Sequence, residues 1–152
     1  MMNRKEIALN SSFLVHRSSF SSMLLLRSKV GKVVAQAFNP GDDLIFQLES
    51  GFGLLRVLAV EERVEEGAVW HLLAYEELFP DVETAEAALG ASGSLHVRKA
   101  HMALTDRAFE RTPAARLGNR PVMDEELAGY RAWLEEGGAV SDRSALLMLG
   151  LR

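Results

Sequence analysis

Leu44-Ile45-Phe46-Gln47-Leu48-Glu49-Ser50-Gly51-Phe52-Gly53-Leu54-Leu55-Arg56-Val57-Leu58 is the stretch on which the fold turns. Leu44, Phe46 and Leu48 alternate with Ile45 and Gln47, the period-2 pattern of a strand. Glu49-Ser50-Gly51-Phe52-Gly53 supplies glycines for a tight reversal. The chain then runs from Leu54 to Glu61, apolar at nearly every position except Arg56, as a strand buried on most of both faces. Working forward, Glu65-Glu66-Gly67 is a second turn. Ala68–Tyr75, with Trp70 and His71, is a third strand. Three strands joined by two turns make an antiparallel meander. Working backward, Asn39-Pro40-Gly41-Asp42 is a turn cluster. It either opens the folded part or closes a short strand around Val33–Phe38.

Beyond the meander the periodicity changes. Pro80-Asp81 starts a helix with Val82, Ala85 and Leu89 on one face and Gly90 as its stop. Leu95–Leu104 reads as a fourth strand. Its apolar parity switches between Val97 and Ala100, which a bulge near Lys99 would explain. Thr105-Asp106 caps a short turn holding Phe109, and Arg116-Leu117-Gly118 is a brief last strand. Residues 124–136 form the clearest helix, with Asp124 as cap and Met123, Leu127, Tyr130 and Leu134 as its apolar stripe. Ser141 is expected to cap a closing helix that ends at Gly150. The fold class is therefore α+β: a small, curved, partly barrel-like antiparallel sheet, one mid-chain helix and two C-terminal helices.

Composition bounds the function classes. The chain has 152 residues, enough for one domain with its own core. It has no cysteine, which removes disulfides, zinc–thiolate sites and thiol chemistry and fits a cytoplasmic, reducing location. Residues 1–34 carry six Lys/Arg and one acid, whereas residues 35–152 carry eleven Lys/Arg and twenty Asp/Glu, a net −9. A body of that charge repels nucleic acid and attracts basic partners. Ser11-Ser12-Phe13 and Ser18-Ser19-Phe20 echo one another in a serine-rich first thirty residues. That segment reads as a tail or a mis-set start, with a transit-like leader as the other reading, and 31–152 as a single domain. No apolar run approaches the roughly 18 residues a membrane span requires.

No catalytic motif stands out. His96 and His101 face opposite sides of a regular strand, and His71 reads as a hydrogen-bonded core residue, so no metal or other cofactor is expected. No serine sits in a Gly-x-Ser-x-Gly elbow. Gly51-Phe52-Gly53 lacks the Lys-Ser/Thr of a phosphate loop. Two surfaces are candidates. Tyr75, Glu76, Glu77, Phe79 and Asp81 would give aromatic anchors in an acidic rim for a protein partner. Arg98, Lys99, Arg107, Arg111, Arg116 and Arg120 would give an anion-binding alternative.

Asn39-Pro40-Gly41-Asp42-Asp43-Leu44, Gly51-Phe52-Gly53-Leu54-Leu55-Arg56-Val57-Leu58 and Ala115-Arg116-Leu117-Gly118-Asn119-Arg120-Pro121-Val122 carry a resemblance. They are similar to the opening hairpin and closing strand of small immunity proteins from bacterial polymorphic toxin systems, whose opening hairpin is SH3-like. The resemblance spans residues 39–122. It implies a protein-binding module that neutralises a toxin by stoichiometric binding, with no catalytic residues. The alternatives are a small regulatory or nucleic-acid-associated barrel, and an enzyme whose site is built from scattered residues.

Overall fold

The computed structural model describes residues 37–152 apart from Ser92. The serine-rich segment and most of the strand expected around Val33–Phe38 lie outside the described residues. Five strands form one antiparallel sheet: β1 (Asp42–Leu48), β2 (Gly51–Arg63), β3 (Gly67–Phe79), β4 (Val97–Thr105) and β5 (Ala114–Asn119). Their order across the sheet is β4-β3-β2-β1-β5. The meander thus holds the centre, and the two later strands flank it. Because β4 and β5 stand at opposite edges, the sheet is open and does not close into a barrel.

Among the described residues four helices accompany the sheet: α1 (Val82–Gly90), α2 (Asp106–Glu110), α3 (Ala128–Glu135) and α4 (Ala145–Leu149). A 3-10 turn, Asp124–Leu127, leads into α3. No helix among the described residues is long and apolar enough to cross a membrane.

The first hairpin is tighter than its glycine content suggests. Leu48 pairs with Gly51, so the turn is Glu49-Ser50 and the glycines belong to β2. Gly51 has φ +142°, which an L side chain rarely adopts. Gly53 faces Phe46, and its missing side chain makes room for that ring. On β4 the pairing slips on both sides of Lys99, from Leu72–Met102 to Ala74–Lys99 to Tyr75–Val97. The strand is therefore bulged near Lys99, but the two extra β4 residues cancel, and the odd-numbered Val97 lies with Tyr75 on the face opposite Met102.

One sheet face carries the main core. Leu44, Phe46, Leu55, Val57, Trp70, Leu72, Met102 and Leu104 are buried there. Phe109 of α2 stacks on Trp70 at 4.5 Å, and Phe38 meets both rings edge-on. Ala145 and Leu149 of α4 join the same cluster.

The other face is divided into zones. Ile45, Leu54, Phe79, Ala115 and Leu117 form a smaller apolar cluster with Ala85 of α1. Next to it lies a charged network around Arg56. Beyond that, α3 covers His71 and His101.

Two helix starts differ from expectation. Met123, not Asp124, occupies the cap position of the 3-10 turn, and its N–H is taken by the Glu126 carboxylate at 2.8 Å. Asp124 instead pairs with Arg131. Ser144, not Ser141, caps α4 by accepting from Leu147 N–H. Ser141 acts at the sheet instead, where its backbone pairs with Ala103 and Thr105 and closes one end of the β4 edge.

Candidate functional site

Arg56 decides the polar architecture of the second face. It is 1% exposed, although it lies on a central strand. Its guanidinium donates to Asp43, to both carboxylate oxygens of Glu126, and to the backbone carbonyls of Gly41, Arg120 and Pro121. A buried guanidinium is tolerable only when its donors are met, and here they are. Asp43 also accepts two hydrogen bonds from Arg120. Asp42, fully buried, accepts from Asn39 N–H and from the Asn119 side chain. Asn39, Gly41, Asp42, Asp43, Arg56, Asn119, Arg120 and Pro121 thus converge in one network. It ties the start of β1 to the end of β5. Burial pushes the Glu126 carboxyl up, but Arg56 and the Met123 N–H outweigh it and hold the carboxyl below its ordinary value.

The histidine zone follows from a local irregularity. At Leu58 the β2–β3 pairing slips, from Val57–Leu72 to Ala59–His71. The slip inserts one residue on β2 and reverses its parity, so Glu61 reaches the same face as His71. His71 is fully buried, and its Nδ1 lies 2.9 Å from His101 Nε2. Glu61 Oε1 lies 3.2 Å from His71 Nε2, off the line of a hydrogen bond. Tyr130 of α3 donates its hydroxyl to Glu61 at 2.8 Å. The rings of Tyr130 and Trp133 stand 4.6 and 4.7 Å from His71. Trp133 donates its indole N–H to the Ala139 carbonyl.

Charge settles the tautomers. A lone pair at His71 Nε2 would face a carboxylate, so that nitrogen carries the proton. His71 Nδ1 then accepts from His101 Nε2–H, leaving His101 Nδ1 without a hydrogen-bond partner among the described residues. Burial lowers the pKa of His71 despite Glu61, and burial together with His71 pushes His101 down to about 4. Burial raises the Glu61 carboxyl, but Tyr130, His71 and Arg63 together hold it below its ordinary value. The two rings bond to each other rather than converge on a common point. Among the described residues no group of three His, Asp or Glu is arranged to hold a metal.

The residues singled out in the sequence are not gathered into one surface. Tyr75 and Phe79 belong to the small apolar cluster, and Phe79 is buried. Glu76 is exposed. Glu77 accepts the backbone N–H and the ring nitrogen of His96. Asp81 caps α1 through Thr84. The basic residues are dispersed and mostly engaged. Arg98 donates to the Leu149 carbonyl, Arg107 pairs with Asp142, and Arg111 donates to the Asp142 carbonyl. Arg116 and Arg120 approach Asp42 and Asp43. Lys99 is half-buried on the bulged part of β4. Tyr75 and Arg120, one from each set, do meet at 3.2 Å. With Leu89 and Leu95 they line a half-open cleft of about 250 Å³ beside the end of α1.

No family model matches the sequence, and no curated protein or solved structure is significantly similar to it.

Proposed function

We propose that this domain is a non-catalytic protein-binding module that docks a basic partner. One observation carries the reading: acids outnumber cations in the domain, and more than half of the cations are neutralised by acids of the same chain, which leaves an excess of unpaired carboxylates at the surface. Arg56, Arg63, Arg107, Arg116, Arg120 and Arg131 each form an ion pair with an acid of the same chain. Glu62, Glu65, Glu125, Glu135 and Glu136 are exposed and form no ion pair among the described residues. The outer surface therefore carries the negative surplus, which raises the encounter rate with a basic surface and disfavours nucleic acid.

Glu62 and Glu65 lie at the β2–β3 tip and Glu125, Glu135 and Glu136 on or beside α3, two elements joined by the Tyr130–Glu61 hydrogen bond. Exposed apolar side chains interrupt the acids there. Val64 at the tip is wholly exposed, and Leu134 on α3 is 52% exposed. Apolar groups ringed by acid suit a partner whose anchor is apolar and whose rim is Lys- and Arg-rich. The resemblance of residues 39–122 to polymorphic-toxin immunity proteins supplies the partner class, a basic toxin domain neutralised by stoichiometric binding.

The test is to purify the products of the neighbouring genes, measure the binding of each to the full chain, and follow the association of any complex by stopped-flow across a salt series. We expect a one-to-one complex whose association slows as salt rises. A Glu62→Lys, Glu65→Lys double variant should associate about tenfold more slowly. Lack of a complex at low salt, or association indifferent to charge reversal, would overturn the proposal.

A further inference from the structure

The histidine pair is more than a satisfied piece of core, because it lies at the joint between the sheet and a helix. His71 and His101 form the floor, with ring centroids 5.1 Å apart and planes within 19°. Tyr130 and Trp133, both from α3, form the roof. At Gly129 the α3 backbone comes so close that an added Cβ would lie 3.0 Å from His101 Cβ. The docking of α3 thus rests on two aromatic rings over two imidazoles, the Tyr130–Glu61 hydrogen bond, and the Glu126–Arg56 pair on the adjoining turn.

We propose that the His71–His101 pair is an acid-sensitive latch, holding α3 on the sheet while both rings are neutral and releasing it when they are protonated. The neutral pair needs one N–H between the two nitrogens. A first proton enters at the free His101 Nδ1 and leaves the ring–ring bond intact, but it places a cation on a ring that Tyr130 and Trp133 leave only partly exposed to water. A second proton must go to His71 Nδ1. That destroys the acceptor, and two cations then face each other across the 2.9 Å contact. The release of α3 rehydrates both rings.

The charged neighbours set the balance. Glu61 of β2 favours the cations, whereas Arg63 of β2 and Lys99 of β4 oppose them. Tyr130 of α3 stays neutral, since burial and Glu61 raise its pKa. The depressed affinity of both imidazoles for protons agrees with a neutral, docked state. The sign follows. The open state binds more protons, so docking weakens as pH falls below the ordinary histidine range of about 6.5.

The test is amide hydrogen exchange of the unsubstituted full chain, followed for residues 128–135 and for the central strands. Between about pH 7 and about pH 4.5, after correction for intrinsic rates, α3 should lose at least about tenfold of its protection while β2 and β3 keep theirs. In His101→Gln, whose side-chain N–H still serves His71 but does not titrate, that selective loss should shrink markedly, since His71 alone remains to take up a proton on opening. Constant α3 protection until the whole sheet opens, or an unchanged loss in His101→Gln, would overturn the proposal. If His101→Gln leaves α3 unprotected at neutral pH, ring ¹⁵N shifts of the unsubstituted chain decide. Ring protonation and α3 amide shifts with one midpoint support the latch, and rings titrating with no response in α3 defeat it.

Discussion

Arg56 Nε and Glu126 Oε1 stand 2.7 Å apart, joining a central strand to a turn 70 residues later. The bond fixes the path of the chain after β5, because the same guanidinium also holds the Arg120 and Pro121 carbonyls. Arg56→Met should therefore do more than remove one ion pair. It leaves Asp43, 1% exposed, with Arg120 as its one remaining counter-ion, and it takes the side-chain donor from the Arg120 and Pro121 carbonyls, while the Gly41 carbonyl keeps the Arg120 N–H. Breaking one side of a buried pair costs about 3–5 kcal/mol. Glu126→Ala, at a partly exposed partner, should cost about 1.5–3 kcal/mol. Urea unfolding of both variants checks the order, and equal losses would show that the carbonyl contacts contribute little.

Gly53 and Phe46 are cross-strand partners, and the ring lies over the glycine. A Cβ at Gly53 would come within 2.9 Å of three ring atoms. The ring is 2% exposed and belongs to the same buried cluster as Leu44, Leu48 and Leu55, so a shift of the ring must displace packed neighbours. Gly53→Ala should destabilise by about 1–3 kcal/mol, the usual range for overpacking. Adding Phe46→Leu should recover part of that loss. A double-mutant cycle measures the coupling, and strict additivity would mean that strand geometry, not the ring, requires the glycine.

Much of this architecture is legible in the residues. The meander follows from period-2 stretches and two turns, and β4 is bulged near Lys99, where the apolar parity changes. The charged network is not legible, since Arg56 reads only as a break in an apolar strand. Its acceptors are mostly carbonyls, which no residue pattern displays, and two of them belong to Arg120 and Pro121. The stripe of α3 is also displaced. Tyr130 faces the sheet as the stripe expects, joined there by Gly129 and Trp133, whereas Met123 and Leu134 are 55% and 52% exposed. That face of the sheet presents imidazoles rather than aliphatic side chains, so an aliphatic stripe is the wrong template. The Glu61–His71 approach depends on the slip at Leu58, where Val57, Leu58 and Ala59 are all apolar and give no sign of a parity change.

His96 and Glu77 form an exposed counterpart to the buried pair, at 2.5 Å. The hydrogen bond to Glu77, and the charge of that carboxylate, raise His96 above the ordinary histidine value. Desolvation raises Glu77, but bonds from the His96 backbone and ring outweigh it and lower its pKa. A raised histidine stabilises the fold below its unfolded pKa, and that contribution fades as pH rises through the folded value. A lowered carboxyl stabilises above its unfolded pKa, and that contribution fades as pH falls through the folded value. The pair therefore contributes between those two folded values. In an NMR titration His96 should have a midpoint above about 6.5, and Glu77→Gln should bring it back toward that value. A midpoint unmoved by Glu77→Gln would show that the contact does not persist in solution.

Gly129 sets two effects of α3 against each other. In an isolated helix Gly129→Ala would be favourable by about 1 kcal/mol, because alanine loses less backbone entropy. On the sheet the new methyl would lie 3.0 Å from His101 Cβ and 3.2 Å from two atoms of Ala100. None of these is the far end of a flexible side chain, so helix and strand must separate. The cost of such crowding is about 1–3 kcal/mol, which matches or exceeds the propensity gain. Gly129→Ala should therefore weaken the docking of α3 at neutral pH while leaving the helix itself well formed. Hydrogen exchange of residues 130–135 should quicken relative to β2 and β3, and Trp133 emission should shift to the red. A variant with slower exchange in α3 would mean that the sheet yields easily at Ala100, on the bulged part of β4.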